Sequence, residues 1–280
     1  MSTERLPVDF VCIGAQKAGT SWLNINFKAH PHAFVPYLKE TFYLNLVEHG
    51  PHNYPVPREA IIAWFREDFR AKTERHIREC VRDGIDGQPE VSRGTATYLG
   101  YLCDCLEFYW SGIGRDWFEQ LYKIAQPGQL RIDITPDYSL LNDASLDALA
   151  ASNPDLKVLL LMRDPVARDL SQLKMELLAI TPDPSVDECI NFLEQPCVTM
   201  RSDYAQILRH WRSRFGANVL AENYDAIAAD PGGLMDRVCA FAGLPPLLDR
   251  SRLKFLDNVS TSRWKPPAEV VDFLRKRYRA

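Results

Sequence analysis

The sequence predicts an α/β fold of three layers, a parallel β-sheet flanked by helices, with a helical insertion. Three observations predict it. Four short apolar runs have the length and composition of buried strands. Helical stretches lie between them, and strand–helix alternation builds parallel sheets covered on both faces. The first and third runs lead directly into helix starts.

Taken in order, the first strand is Val8–Ile13 and the helix after it Thr20–His30. Residues 45–128 form an insertion rich in helix and aromatics, Trp64, Phe65, Phe69, Trp117 and Phe118 among them. Core packing is the expected use of most of these rings. A strand at Leu130–Ile134 precedes a helix over Leu146–Ala151, and a strand at Lys157–Met162 precedes one over Val166–Leu178. The helix Tyr204–Phe215 enters a fourth strand, Asn218–Glu222, and Gly233–Ala242 reads as helix again. Val270, Val271, Leu274 and Tyr278 fit one face of a closing helix. No repeat or linker divides the chain, so residues 1–280 are expected to form a single domain.

Composition narrows the function. With 46% hydrophobic and 25% charged residues, the 280-residue chain is neither disordered nor fibrous. No run approaches the roughly 18 apolar residues that span a bilayer. The start, MSTERLPVDF, has no signal-like apolar region, and a cytoplasmic protein without stable membrane insertion is expected. Seven cysteines without a CxxC pair argue against a zinc site or a disulfide framework. The net charge is −4, yet residues 250–280 hold nine Lys/Arg against three Asp/Glu. An acidic body does not suit nucleic acid. The basic end suits either a local anionic ligand or a solvated helix face.

The sharpest motif is FVCIGAQKAGTSWLNINF, residues 10–27. A strand ends at Ile13, Gly14 and Gly19 follow at G-x-x-x-x-G spacing, and a helix begins. Glycines let the backbone turn tightly. The helix N-terminus adds unpaired N–H groups and a positive dipole end. Nucleotide triphosphatase loops place Lys after the second glycine. Here Thr20 stands there and the lysine, Lys17, sits inside the loop, so the usual magnesium-organising Gly-Lys-Ser/Thr unit is missing. A second motif, KVLLLMRDPVARDLSQLKMELL over 157–178, ends its strand in Arg163. Asp164 and Pro165 suit the N-cap and first helical positions. Arg grips phosphate with paired N–H bonds, and Ser171 offers a hydroxyl.

IGAQKAGTSWL resembles the 5′-phosphosulfate loop of sulfotransferases that use 3′-phosphoadenosine-5′-phosphosulfate (PAPS), G-x-x-K-x-G-T-[TS]-x-L. Arg163, Arg168 and Ser171 fit the same family's 3′-phosphate pattern, R-D-P-x-x-R-x-x-S. The resemblance implies a P-loop NTPase-like sulfotransferase fold, nearest the carbohydrate and bacterial small-molecule branch. It also implies sulfuryl transfer to a hydroxyl or amine by in-line displacement, with 3′-phosphoadenosine-5′-phosphate (PAP) as product and no metal. By the same resemblance Lys17 would be catalytic at the leaving phosphate. Gln16, Lys17, Ala18, Gly19, Thr20, Ser21 and Trp22 would hold the 5′-phosphate, and Arg163 and Ser171 the 3′-phosphate. Thr261, Ser262, Arg263 and Trp264 occupy the place of the family's late nucleotide-binding loop, although the glycine of its Lys-Gly-Arg is missing.

HPHAFVPYLKETFYL, residues 30–44, resembles the carbohydrate branch, whose glutamate is placed to accept the acceptor's proton. Glu40 is then the general base and Lys39 its neighbour, with His30, His32, His49 and His52 as rival bases. DITPDYSLL, residues 133–141, resembles the family's E-K-[ST]-P-x-Y stretch and makes Tyr138 an acceptor contact. Ile134 replaces a lysine of some glycan enzymes, which weighs against a heavily anionic acceptor. The implied partner is a small-molecule or carbohydrate acceptor, and by the same resemblance residues 45–128 are the acceptor-side insertion. A P-loop kinase using ATP and magnesium, or a non-catalytic nucleotide-binding protein of this fold, remains as the alternative reading.

Overall fold

A computed structural model describes residues 5–45, 58–87, 93–111, 114–251, 253 and 264–279. Its elements run β1 (Phe10–Cys12), α1 (Thr20–Lys28), β2 (Ala33–Phe34), α2 (Arg58–Gly87), α3 (Arg93–Ser111), α4 (Arg115–Gln120) and β3 (Leu130–Ile134). There follow α5 (Asp143–Ser152), β4 (Lys157–Met162), α6 (Pro165–Ile180), α7 (Val186–Leu193), α8 (Pro196–Thr199) and α9 (Tyr204–Phe215). Last come β5 (Val219–Asn223), α10 (Ala226–Ala229), α11 (Pro231–Ala242) and α12 (Ala268–Arg277). Helices flank one parallel sheet, the architecture the strand–helix alternation predicts.

The strand order is β2-β3-β1-β4-β5. Phe10 of β1 stands opposite Ile132 of β3 and Lys157 of β4. The two motif-bearing strands are therefore neighbours at the sheet's centre, and their following loops share its carboxyl edge, where ligands of open α/β sheets bind. Val158 to Leu161 are all buried, because helices cover both sheet faces and leave no side to alternate toward water. The edge strand β2 was not foreseen: two residues are too few to show a period.

One hydrophobic core runs from the sheet into the insertion. Trp117 is met edge-on by Phe65 and Phe69, at 5.9 and 5.5 Å between centroids, and Tyr43 stacks on Phe118 at 4.0 Å. These rings are core, as expected. A smaller cluster joins α12 to α6 and α7 through Leu173, Leu193, Val270 and Leu274. Beneath it Arg168 and Asp169 pair at 2.5 Å, both wholly buried, and Asp169 also accepts the Tyr278 hydroxyl at 2.7 Å. Arg168 further donates to Ser202 and to the Val198 carbonyl. Arg168 of the second motif is thus a structural bolt rather than a ligand group.

Candidate active site

The phosphate-type loop is fastened to β4 before it turns. Ala15 donates to the Leu161 carbonyl at 2.8 Å, and Leu161 donates to Gly14 at 2.7 Å. Lys17 then adopts a left-handed φ of 69° and Gly19 one of 87°. Helix α1 opens on Gly19, and Leu23 is the first residue to bond back to it, at 3.1 Å. Amides ahead of Leu23 have no helical carbonyl to reach, which is the anion-binding end of a helix.

Gly19 is required by space as well as by φ. A Cβ there would lie 2.4 Å from Ile227 Cδ1 and 3.1 Å from the Tyr224 ring. Tyr224 carries the Arg163 guanidinium on its face, 4.7 Å from the ring centre. Gly19→Ala is therefore expected to lower stability by about 1–3 kcal/mol, seen as a lower denaturant midpoint, and to weaken anion binding by shifting Tyr224.

Arg163 joins the two motifs physically. Its Nη1 donates to the Lys17 carbonyl at 2.9 Å, and its own amide donates to the Tyr204 hydroxyl at 3.3 Å. The Lys17 ammonium lies 3.4 Å from Met175 Sδ of α6. Burial, and then the neighbouring Arg163 charge, push the Lys17 pKa below the ordinary lysine value, while Glu176 and Glu40 oppose the shift. Helix α6 is aimed by Asp164, whose carboxylate caps the Ala167 amide at 2.8 Å, with Pro165 at its first position.

These groups line one cleft of about 810 Å³. Gln16, Lys17, Gly19, Thr20, Ser21, Trp22, Lys39, Glu40, Arg163 and Ser171 are all in its wall, so both anion motifs and the expected base meet there. Glu40 accepts from the Lys39 ammonium at 2.5 Å, and its amide donates to the Ile134 carbonyl at 3.2 Å. The Trp22 ring itself is core, its Nε1 donating to the Leu253 carbonyl at 2.8 Å. Pro136, Ala167, Leu170, Lys174, Met175 and Tyr224 complete the wall and were not assigned from sequence. Ala167, Lys174 and Met175 share Ser171's helical face, three or four residues from it, and that periodicity was a usable signal. Tyr224 carried none, since it arrives from the far end of β5.

Other expected residues lie away from the cleft wall or outside the described residues. Tyr138, expected as an acceptor contact, is fully buried outside the cleft wall and gives its hydroxyl to Asp133 at 2.7 Å. Ala18 is also buried, and its amide is spent on the Ala15 carbonyl at 3.1 Å. Trp264 packs against the α6–α7–α12 cluster instead of the cleft. His30 is a core residue: its ring bonds the Pro245 carbonyl at 2.9 Å and accepts the His32 amide at 3.1 Å. His32 is exposed away from the cleft wall. Thr261, Ser262, Arg263, His49 and His52 lie outside the described residues. Among the described residues the insertion supplies none of the cleft's wall. It reaches the site through Phe42, whose ring meets Phe65 at 5.8 Å.

The sequence model of the Sulfotransferase family matches residues 9–249. Human heparan sulfate glucosamine 3-O-sulfotransferase 3B1 is 26% identical over 151 residues, covering 51% of this chain and 38% of that protein. Human heparan sulfate glucosamine 3-O-sulfotransferase 6 is 30% identical over 139 residues, 47% of this chain and 40% of its own. The aligned part is thus less than half the length of those relatives. A sulfotransferase from Alicyclobacillus acidocaldarius superposes with a TM-score of 0.61 at 18% identity, covering 97% of this chain and 91% of that one. The sulfotransferase domain from the curacin biosynthetic pathway gives 0.50 at 15% identity, covering 97% and 87%. Both likenesses concern the fold. With the family's sequence model spanning loop, cleft and sheet alike, the chain belongs to the sulfotransferase family.

Proposed function

We propose that the protein transfers a sulfuryl group from PAPS to a hydroxyl or amine of a sugar or small-molecule acceptor, by in-line displacement and without a metal. The observation that carries this reading is the Arg163–Lys17 contact, which closes two anion-binding motifs into one cleft with Glu40 in its wall. The donor set fits a doubly anionic nucleotide. Lys17, Lys39, Lys174 and Arg163 face a single carboxylate, Glu40, among the described lining residues. Lys17, Gly19, Thr20, Ser21 and the Trp22 backbone would hold the 5′ end, and Arg163 and Ser171 the 3′-phosphate. Gln16 belongs to the same wall, and Thr261, Ser262 and Arg263 are assigned to this nucleotide by family pattern alone. When bound, PAPS supplies an activated sulfuryl group and a phosphate leaving group.

The chain's own residues do the rest. Lys17 and the first turn of α1 stabilise charge on the departing phosphate oxygen, an electrostatic role of the oxyanion-hole kind. Glu40 takes the acceptor's proton, and Lys39, bonded to it, fixes the carboxylate's direction. The relatives named for heparan sulfate glucosamine support a sugar hydroxyl as acceptor. Among the described residues no helix is long and apolar enough to cross a membrane. None of the seven cysteines forms a disulfide. A cytoplasmic location is part of the proposal, since a chain with no disulfide framework has no need of an oxidising compartment.

Calorimetry with PAP against ATP and magnesium tests the donor. Firm PAP binding with no magnesium requirement is expected, and ATP binding without PAP binding would replace this reading by a kinase. Radiolabelled PAPS offered to a panel of amino sugars, oligosaccharides, phenols and alcohols then identifies the acceptor class. Arg163→Ala is expected to weaken PAP binding by about 10–100-fold, the worth of a charge-assisted phosphate contact. Unchanged affinity would remove Arg163 from the 3′-phosphate site.

A further inference from the structure

We infer that Asp133, which has no access to the cleft, positions Glu40 for proton transfer by locking Thr41. This rests on the reading of Glu40 as the base. The turn that presents Glu40 is strained. Glu40 has φ 65° and Phe42 φ 53°, both left-handed and neither glycine. Such residues persist only where their surroundings over-determine them. Thr41, the residue between them, is wholly buried and supplies that determination.

Its hydroxyl donates to Asp133 Oδ2 at 2.7 Å. Its amide donates to Thr135 Oγ1 at 3.1 Å, and that hydroxyl donates to Asp133 Oδ1 at 2.8 Å. The Tyr138 hydroxyl closes the group, 2.7 Å from Asp133 Oδ2 and 2.9 Å from Thr41 Oγ1. Both carboxylate oxygens are thus engaged, and both hold Thr41, one directly and one through Thr135. On the side of the insertion Phe42 leans on Phe65. The strained turn is clamped from below and from the side, and only Glu40 and Lys39 are left to face the cleft.

The anchor is also the right one for distance. Asp133 lies in β3 opposite Val11 of β1, the strand that runs into the Lys17 loop. Glu40 and Lys17 are therefore referred to one another through paired strands instead of through flexible side chains. A carboxylate 1% exposed in a sheet is expensive, and an apolar residue would pack there without that cost. Fixing a base to sub-ångström tolerance is a return that an apolar residue cannot give, since errors near 1 Å cost about 10²-fold in rate. Asp133 touches no reacting atom and is a positioning residue.

The test uses Thr41→Val, which keeps the shape and removes the hydroxyl, Thr41→Ser, which keeps the hydroxyl, and Asp133→Asn. Rates are read on the fastest acceptor of the panel, or with water as acceptor where none is faster. Thr41→Val is expected to lower kcat by about 10–100-fold, with PAP affinity within about twofold of wild type. Thr41→Ser restores the rate. Added to Glu40→Gln, Thr41→Val lowers kcat no further, because both act through one carboxylate. Asp133→Asn reproduces Thr41→Val, and Thr41→Val carries the test alone if Asp133→Asn does not fold. A wild-type rate in folded Thr41→Val, with Glu40→Gln impaired, overturns the positioning role and leaves the base in place. A further loss on top of Glu40→Gln likewise shows that Thr41 does not act through Glu40. A wild-type rate in Glu40→Gln overturns the base and the positioning role together.

Discussion

Lys17→Ala lowers turnover by about 10²–10³-fold, the range for removing one group that stabilises charge in a transition state, while the protein stays folded and still binds PAP. The structure explains why binding and rate should separate. Among the described residues the Lys17 ammonium meets Met175 Sδ of α6, a weak acceptor, so little of the fold depends on it. Its backbone does depend on place, because the carbonyl is the acceptor for Arg163. Alanine keeps that carbonyl and hence the placement of the arginine proposed for the 3′-phosphate. Stopped-flow or steady-state kinetics on the panel acceptor, beside PAP calorimetry, checks both halves. Near-native turnover would take Lys17 out of the chemistry. Lys17→Arg, which preserves charge but spreads it over a planar fork, is expected to recover only part of the rate.

Asp169→Ala costs about 3–5 kcal/mol of folding stability, the range for removing one member of a buried ion pair. Both partners are wholly shielded from water, so the loss leaves Arg168 charged and short of its main counter-ion. Ser202 and the Val198 carbonyl remain as neutral acceptors and cannot neutralise it. Tyr278 loses its acceptor too, which loosens α12 from α6. Chemical denaturation measures the effect. Replacing both partners, Arg168→Met with Asp169→Leu, is expected to cost less than the single change, since no uncompensated charge is then buried. A single variant as stable as wild type would show that the pair contributes nothing net.

Much of this was legible in the chain. β3, β4 and α9 have the boundaries read from sequence, because apolar runs there meet sharp polar punctuation. The Lys17 loop and the Arg163 turn were legible because both combine a strand end with a helix start. What escaped depended on long-range partners or on too little sequence. β2 is two residues long. Helix α7 was missed although Ser185 and Glu188 form a capping box, a local signature open to reading. Tyr138 reads as a polar ring near the acceptor stretch, and only the fold reveals Asp133 behind it. Asp133 carried no signal of its own, because its partners Thr41 and Tyr138 are brought to it only by the fold.

The order of strands has a consequence for how such a protein diversifies. The Lys17 and Arg163 loops, proposed here to grip the nucleotide, hang from β1 and β4, in the middle of the sheet, whereas the long helical excursion leaves and returns at β2 and β3, on one margin. Its helices can be recut, lengthened or exchanged without touching a rung of the ladder that carries the donor-holding loops. An engineer seeking a new guest for the same sulfuryl source would graft at that margin, and would leave Phe42 and its neighbour Phe65 as the hinge pin between old chassis and new tool.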